Sequence, residues 1–246
     1  MDKIIIEGEI IPSTQLYLKE NLQLLKEDTI TIIKADLQLN AKGRNDKVWF
    51  SPTGGLWFSF AFYLKNELKE QNSLSQIIAL TICQILENEF KILPQIKWPN
   101  DVMLNDRKLA GILTEIINYK NKKVLLCGVG INTNFSNLKI LEIKSKIFLI
   151  TLYDFLGYKI DNKKLLIDFI NNFEKNFEKF CKAGYSFFKE EILNRDYLLG
   201  KDVIVKVNKK SKKEGKVISY SEEGYLKIKN KKNMEEIIYA GEVIIK

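Results

Sequence analysis

The apolar positions of this chain change period several times along its length. Behind Ser13, a residue suited to capping a helix, Leu18, Leu22 and Leu25 fall at helical spacing, so a helix is predicted over Ser13 to Lys26. The run TITIIK (29–34) that follows reads as a buried strand. From Asp36 to Lys47 the chain is polar and charged with no apolar period, and it ends in the aromatic stretch VWFSPTGGLWFSF, broken by Pro52, Gly54 and Gly55. That pattern predicts a functional loop leading into a strand.

Ser73 and Gln76 form a capping-box pattern ahead of Leu74, Ile77, Ile78, Ile82, Ile85 and Leu86, which trace one helix face. Between Ile96 and Asn132, short β-rich runs are broken at Pro99-Asn100-Asp101, at Asn105-Asp106 and over Asn118 to Lys122, which predicts a meander of antiparallel strands. Leu166, Phe169, Ile170, Phe173, Phe177 and Phe180 restore helical spacing over 163–180. Beyond Gly200 the runs VIVKV, GKVISY, GYLKIKN and EEIIYAGEVIIK alternate with turns, and a separate small β-barrel fits them. The expected class is α+β: a mixed, largely antiparallel sheet with packed helices over 1–195, then the barrel over 196–246.

Composition narrows the chemistry more than the fold. The longest strongly apolar stretch, Ile147 to Tyr153, is far shorter than the roughly 20 residues a membrane helix needs. MDKIIIEGEI has no signal-peptide apolar run, so a cytoplasmic protein is expected. Cys83, Cys127 and Cys181 lack metal-ligand spacing and read as core residues in a reducing compartment. The chain has no histidine, which removes Ser-His-Asp and Cys-His pairs and most zinc sites. Its net charge of +8 favours polyanionic partners such as nucleotide or nucleic acid, or an acidic protein surface.

The densest chemistry lies in Lys97-Trp98-Pro99-Asn100-Asp101-Val102, followed by Arg107-Lys108-Leu109-Ala110-Gly111-Ile112-Leu113. Two lysines, an Asn and an Asp surround a tight turn beside a glycine-containing apolar strand. Lysine can hold a carboxylate while neutralising an α-phosphate, and Asp can hold magnesium or orient a neighbour. Taken singly, each of these residues is better explained as a turn residue with a solvated charge.

Together, KWPNDV and RKLAGIL in this order resemble the signature of biotin protein ligases. Other segments then fall into line: Ser13-Thr14 resembles the family's Ser-Thr pair, Gln38 to Ser51 its glycine- and arginine-rich loop, and Gly128-Val129-Gly130-Ile131-Asn132 its GxGIN strand end. The resemblance implies the class II synthetase-like biotin/lipoate ligase fold with a C-terminal SH3-like barrel. It implies that Ser13, Thr14, Gln38, Gly43, Trp57, Lys108, Gly111, Leu113 and Gly128 meet biotin. Lys42, Arg44, Trp49, Lys97, Asn100 and Asn132 would meet ATP. The catalytic group would be Lys108, Asp101, Lys42 and Arg44, with Asp101 the candidate ligand for Mg2+. The chain departs from the family in its loop, AKGRNDK (41–47), which has fewer glycines and has lysine where arginine is usual, and in Pro12 and Gln15 beside the Ser-Thr pair.

The implied activity joins biotin to ATP as biotinyl-5'-AMP with release of pyrophosphate, then transfers biotin to a lysine of a biotin carboxyl carrier domain. Twelve residues precede Ser13, so a ligase with no DNA-binding domain is expected, with homodimer formation left open. A lipoate or octanoate ligase is the nearest alternative. A basic nucleic-acid-binding module is another, resting on Tyr220, Tyr225 and Tyr239 among the twelve lysines and seven acids after Gly200. A catalytically inactive scaffold is a third.

Overall fold

The computed structural model describes residues 1–68, 70–136, 149–208 and 211–246, the side chain of Asp46 excepted. In chain order the strands are β1 (Asp2–Ile11), β2 (Thr29–Gln38), β3 (Leu56–Tyr63), β4 (Gln95–Lys97), β5 (Asp101–Leu104), β6 (Arg107–Tyr119), β7 (Lys122–Ile131), β8 (Asp202–Lys206), β9 (Lys212–Tyr220), β10 (Leu226–Lys229), β11 (Glu235–Ile238) and β12 (Glu242–Ile245). The helices are α1 (Thr14–Glu20), α2 (Leu74–Phe90), α3 (Leu152–Leu156), α4 (Asn162–Ala183) and α5 (Lys189–Leu193). The chain divides into two compact units, Met1–Lys69 with Leu104–Ile167, and Glu70–Met103 with Asp168–Lys246. The fold is α+β, with a mixed, mostly antiparallel sheet, as the patterning predicts.

In the first unit the strands lie in the order β1-β2-β3-β7-β6. β1 runs parallel to β2, and the β2–β3, β3–β7 and β7–β6 pairs are antiparallel. The Asn105-Asp106 and Lys120-Asn121 turns place both residues of each pair at positive φ (49° and 59°, 47° and 60°), the left-handed geometry that matches strand twist in two-residue hairpins. α1 is shorter than the leucine spacing predicts: it stops at Glu20, and Leu22–Leu24 continue as a 3-10 turn. Its Leu18 packs with Ile33, Ala35, Ala61, Val124, Leu126 and Leu25 on one face of the sheet. Of the apolar stretch 147–153, Ile147 and Phe148 lie outside the described residues. No helix among the described residues is long and apolar enough to cross a membrane.

The second unit is organised around α2, buried over most of its length. Asn176 on α4 donates to Thr81 Oγ1 at 2.9 Å and to Gln84 Oε1 at 2.8 Å. Arg195 grips Glu87 through two 2.6 Å contacts. The capping-box expectation for Ser73 and Gln76 is not met. The Ser73 hydroxyl bonds the Glu70 and Glu223 carbonyls, and Gln76 Nε2 donates to Gly224 O at 2.8 Å, so both side chains serve tertiary contacts. Strands β11-β10-β9-β8-β12 form a five-stranded sheet in that order. Among the described residues its edge strands β11 and β12 do not pair, so the predicted barrel is an open sheet. The expectation of core cysteines holds for buried Cys83 and Cys127 but not for exposed Cys181. Cys181 lies in the C-terminal part of α4, where it is open to solvent.

Candidate active site

Strand register brings the glycines of two motifs onto one patch of the first unit. Trp57 pairs with Gly130 and Gly130 with Gly111, while Ser59 pairs with Gly128 and Gly128 with Leu113. Side chains of directly opposed residues share a sheet face, and alternate residues along a strand do too. These six positions therefore form two adjacent rows on one face, three of them without a side chain. α1 covers the neighbouring part of this face around Ala61 and Leu126, and its Gln15 side chain reaches over Gly128. A Cβ at Gly128 would stand 2.1 Å from Gln15 Oε1, one at Gly130 2.5 Å from Trp49 Nε1, and one at Gly111 2.9 Å from the Trp49 ring.

One end of the patch is polar. Ser13 caps α1, its hydroxyl accepting from Leu16 N at 3.3 Å. Buried Thr14 donates through its amide and hydroxyl to Gln38 Oε1 at 2.8 and 3.1 Å, and its hydroxyl lies 2.7 Å from Ser59 Oγ. Gln38 Nε2 in turn donates to Ser51 Oγ at 3.0 Å. Ser59 and Ser51 belong to this cluster although the motifs do not include them. The signal for Ser59 is a lone hydroxyl within the apolar run LWFSFAF, two residues from Trp57.

The other end is aromatic and basic. Trp57 is fully buried, folds over Gly55 and donates to Pro52 O at 2.7 Å, and it packs with Phe135 and Leu149. Trp49 meets Trp57 edge-on, with ring centres 6.4 Å apart. Lys108 Nζ stands 4.8 Å from the Trp49 ring centre. Its Cε passes 3.2 Å from the point where a Gly111 Cβ would lie. Buried Asn132 is held by its Nδ2 donating to Lys108 O at 3.1 Å. Gly54, at φ +105°, lets its carbonyl accept from Asn134 N, Thr133 Oγ1 and Asn162 Nδ2. In the loop, Gly43 N bonds Lys47 O at 2.7 Å, Lys42 bridges Val48, and Asn45 takes the left-handed conformation at φ 55°. Lys42 is exposed, while Gly43 and Arg44 are half-buried.

Lys97, Asn100 and Asp101 belong to the second unit. Lys97 opposes Asp101 across the β4–β5 pair, about a cis Trp98–Pro99 bond. Ser75 Oγ donates to Pro99 O at 2.8 Å, and Trp98 Nε1 donates to Gly224 O at 3.2 Å. Among the described residues no three carboxylate, Cys or His groups converge as a metal cage. A single carboxylate such as Asp101, with one oxygen sealed from solvent, suits a magnesium ion whose other ligands are phosphates and water.

The sequence pattern of the biotin/lipoate A/B protein ligase family matches residues 7–132. The chain belongs to the biotin/lipoate A/B protein ligase family. Among solved structures, the biotin protein ligase of Aquifex aeolicus in complex with biotin and ATP is similar at TM-score 0.83 and 30% identity, covering 98% of each chain. The bifunctional ligase/repressor BirA of Bacillus spizizenii is 28% identical over 247 residues, 98% of this chain and 74% of that one. The biotin–protein ligase 2 of Arabidopsis thaliana is 26% identical over 208 residues, 80% of this chain and 59% of that one. The matched segment runs through both glycine-bearing strands and the Ser-Thr pair. Of the three tyrosines on which the nucleic-acid alternative rests, Tyr220 is fully buried, and Tyr225 and Tyr239 meet edge-on with ring centres 4.8 Å apart.

Proposed function

We propose that the chain is a biotin–protein ligase, activating biotin with ATP and passing it to a lysine of a biotin carboxyl carrier domain in the cytoplasm. One observation carries the reading: a glycine-floored strip with the Thr14–Gln38–Ser59 cluster at one end, Trp57 along it, and Lys108 at the other. Biotin has that order of chemistry, a polar ureido head, an apolar middle and a carboxylate tail. A lipoyl or octanoyl acid has no use for the polar cluster.

A carboxylate does not acylate an amine directly, because oxide would have to leave. In the first step a biotin carboxylate oxygen bonds to the α-phosphorus of ATP as the bond to the β-phosphate oxygen breaks and pyrophosphate departs. Lys108 holds the carboxylate and offsets charge on the α-phosphate, and Lys42 and Arg44 act on the phosphates. Positioning supplies most of the advantage, consistent with a chain that has no histidine. In the second step the carrier lysine's neutral amine attacks the anhydride carbonyl, AMP leaves, and the nitrogen loses a proton. Gly43, Gly111, Leu113 and Gly128 would line the biotin side with Ser13. Trp49 and Asn132 would meet the adenosine side. For Lys97 and Asn100 the resemblance implies nucleotide contacts, and for Asp101 a magnesium ion that supplies charge neutralisation on the phosphates.

ATP–pyrophosphate exchange with biotin, lipoate, octanoate or no acid, alongside Lys108→Ala, tests this reading. Biotin-dependent exchange that disappears in the variant is expected. Exchange with lipoate or octanoate in place of biotin would keep the family and overturn the substrate.

A further inference from the structure

Gln15 lies on the first turn of α1, beside the Ser-Thr pair and outside the residues that the family signature assigns. Its side-chain amide fills the space above Gly128, where a Cβ would stand 2.1 Å from Oε1 and 3.5 Å from Ser59 Oγ. Its Nε2 is buried and has no hydrogen-bond partner among the described residues. A buried amide N–H without a partner is rare, and its desolvation is recovered only when an acceptor arrives. The surrounding polar groups are committed to one another. Thr14 gives its amide and hydroxyl protons to Gln38 Oε1, the Ser59 hydroxyl faces Thr14 Oγ1, and Gln38 Nε2 is used on Ser51. Among the described residues, the buried group left without a partner at this end of the strip is therefore a donor, Gln15 Nε2.

We propose that Gln15 is a specificity-determining residue, its Nε2 donating to a carbonyl-type acceptor at the buried head of the acid substrate. The proposal rests on the ligase reading above, in which that acceptor is the ureido oxygen of biotin. An acid with no acceptor at this end leaves the N–H dry and unpaired. Sites built to hydrogen-bond a substrate group reject analogues lacking it far more strongly than apolar pockets reject an extra methylene.

The test is Gln15→Met, which keeps the length of the side chain and removes the donor. It is assayed by pyrophosphate exchange with biotin and with iminobiotin, in which an imine N–H replaces the ureido oxygen, alongside melting of the ligand-free protein. The expected result is a KM for biotin raised about tenfold with kcat little changed, a biotin-over-iminobiotin preference reduced by a similar factor, and no fall in Tm. Gln15→Asn, which withdraws the amide by one methylene, should shift the preference in the same direction. A preference and KM unchanged in both variants would overturn the proposal, as would an equal loss with both acids accompanied by a lower Tm. Wild-type protein without biotin-dependent exchange would overturn the ligase reading and this proposal with it, whereas active wild type with indifferent variants removes Gln15 alone.

Discussion

Lys108 Nζ stands 4.8 Å from the centre of the Trp49 ring, and that ring lies over Gly111 and Gly130 with its own Nε1 buried and without a hydrogen-bond partner among the described residues. A cation over an indole contributes about 0.5–2 kcal/mol, less than a carboxylate paired directly with lysine in a desolvated site. A substrate carboxylate reaching Lys108 therefore competes with the indole for the ammonium, and its chain competes for the glycine floor. In a protein carrying Trp57→Phe and Trp98→Phe, Trp49 is the sole tryptophan. Its emission should shift when biotin and ATP are added. An unchanged spectrum in a variant that still catalyses exchange would mean that the ring keeps its place when substrate binds.

Gly128→Ala separates folding from binding. The new Cβ meets Gln15 Oε1, the far end of a flexible side chain, so the protein should fold with a stability change of about 1 kcal/mol or less. The displaced amide and added methyl would intrude on the strip, and biotin-dependent exchange should fall at least about tenfold at limiting biotin, a loss of about 1.4 kcal/mol. Wild-type kinetics in this variant would show that substrate does not lie over Gly128.

Much of this arrangement is legible in the linear pattern, because motif residues at period two on β3, β6 and β7 share a face once the register is known. The hairpins at Asn105-Asp106 and Lys120-Asn121 follow from local turn chemistry. β1 escapes the pattern: MDKIIIEGEI joins an apolar triplet to alternating charge, and the parallel pairing with β2 that makes it a strand is a long-range contact. Ser73 and Gln76 satisfy a local capping pattern, yet the Glu223 and Gly224 carbonyls, far away in sequence, claim both side chains. Gln15 is visible as a departure from the family pattern, but its role depends on a glycine more than a hundred residues along the chain. The open C-terminal sheet also escapes prediction, since short alternating runs specify strands and turns but not edge closure.

Arg195 and Glu87 form a bidentate pair with side chains 21% and 20% exposed, and Arg195 Nη1 also donates to Glu191 O. The hydrogen bond to Glu87 holds the Arg195 guanidinium above its ordinary pKa. Arg195→Ala strands a half-buried carboxylate and should cost about 2 kcal/mol, partial exposure keeping it below the loss seen for fully buried pairs. The melting midpoint should drop by roughly 4–8 °C. Glu87→Gln, which retains one acceptor, should cost less. Equal melting of Arg195→Ala and wild type would show that solvent replaces the pair without loss.

Asp196 gives the fold a dependence on pH that can be isolated by one substitution. Burial raises its carboxyl above the ordinary range, opposed by the Tyr220 hydroxyl and by the Leu198 and Leu199 amides. The Leu198 amide donates to Oδ1 at 2.5 Å. An unfolded aspartate ionises near pH 4, so between that point and the raised folded value the native protein keeps a proton that the unfolded chain releases. Stability from this group is therefore complete below the unfolded pKa, falls as pH rises through the window, and stays reduced above the folded pKa. The loss is about 1.4 kcal/mol for each pH unit between the unfolded and folded pKa values. Asp196→Asn keeps an acceptor for the amides and removes the titration. Urea midpoints of the two proteins from pH 3 to 8 should hold a constant separation below about pH 4 and then move in favour of the variant. The exposed carboxylates titrate alike in both and cancel in the difference. A separation independent of pH would mean that the amides and the Tyr220 hydroxyl together offset burial and hold Asp196 at its ordinary pKa.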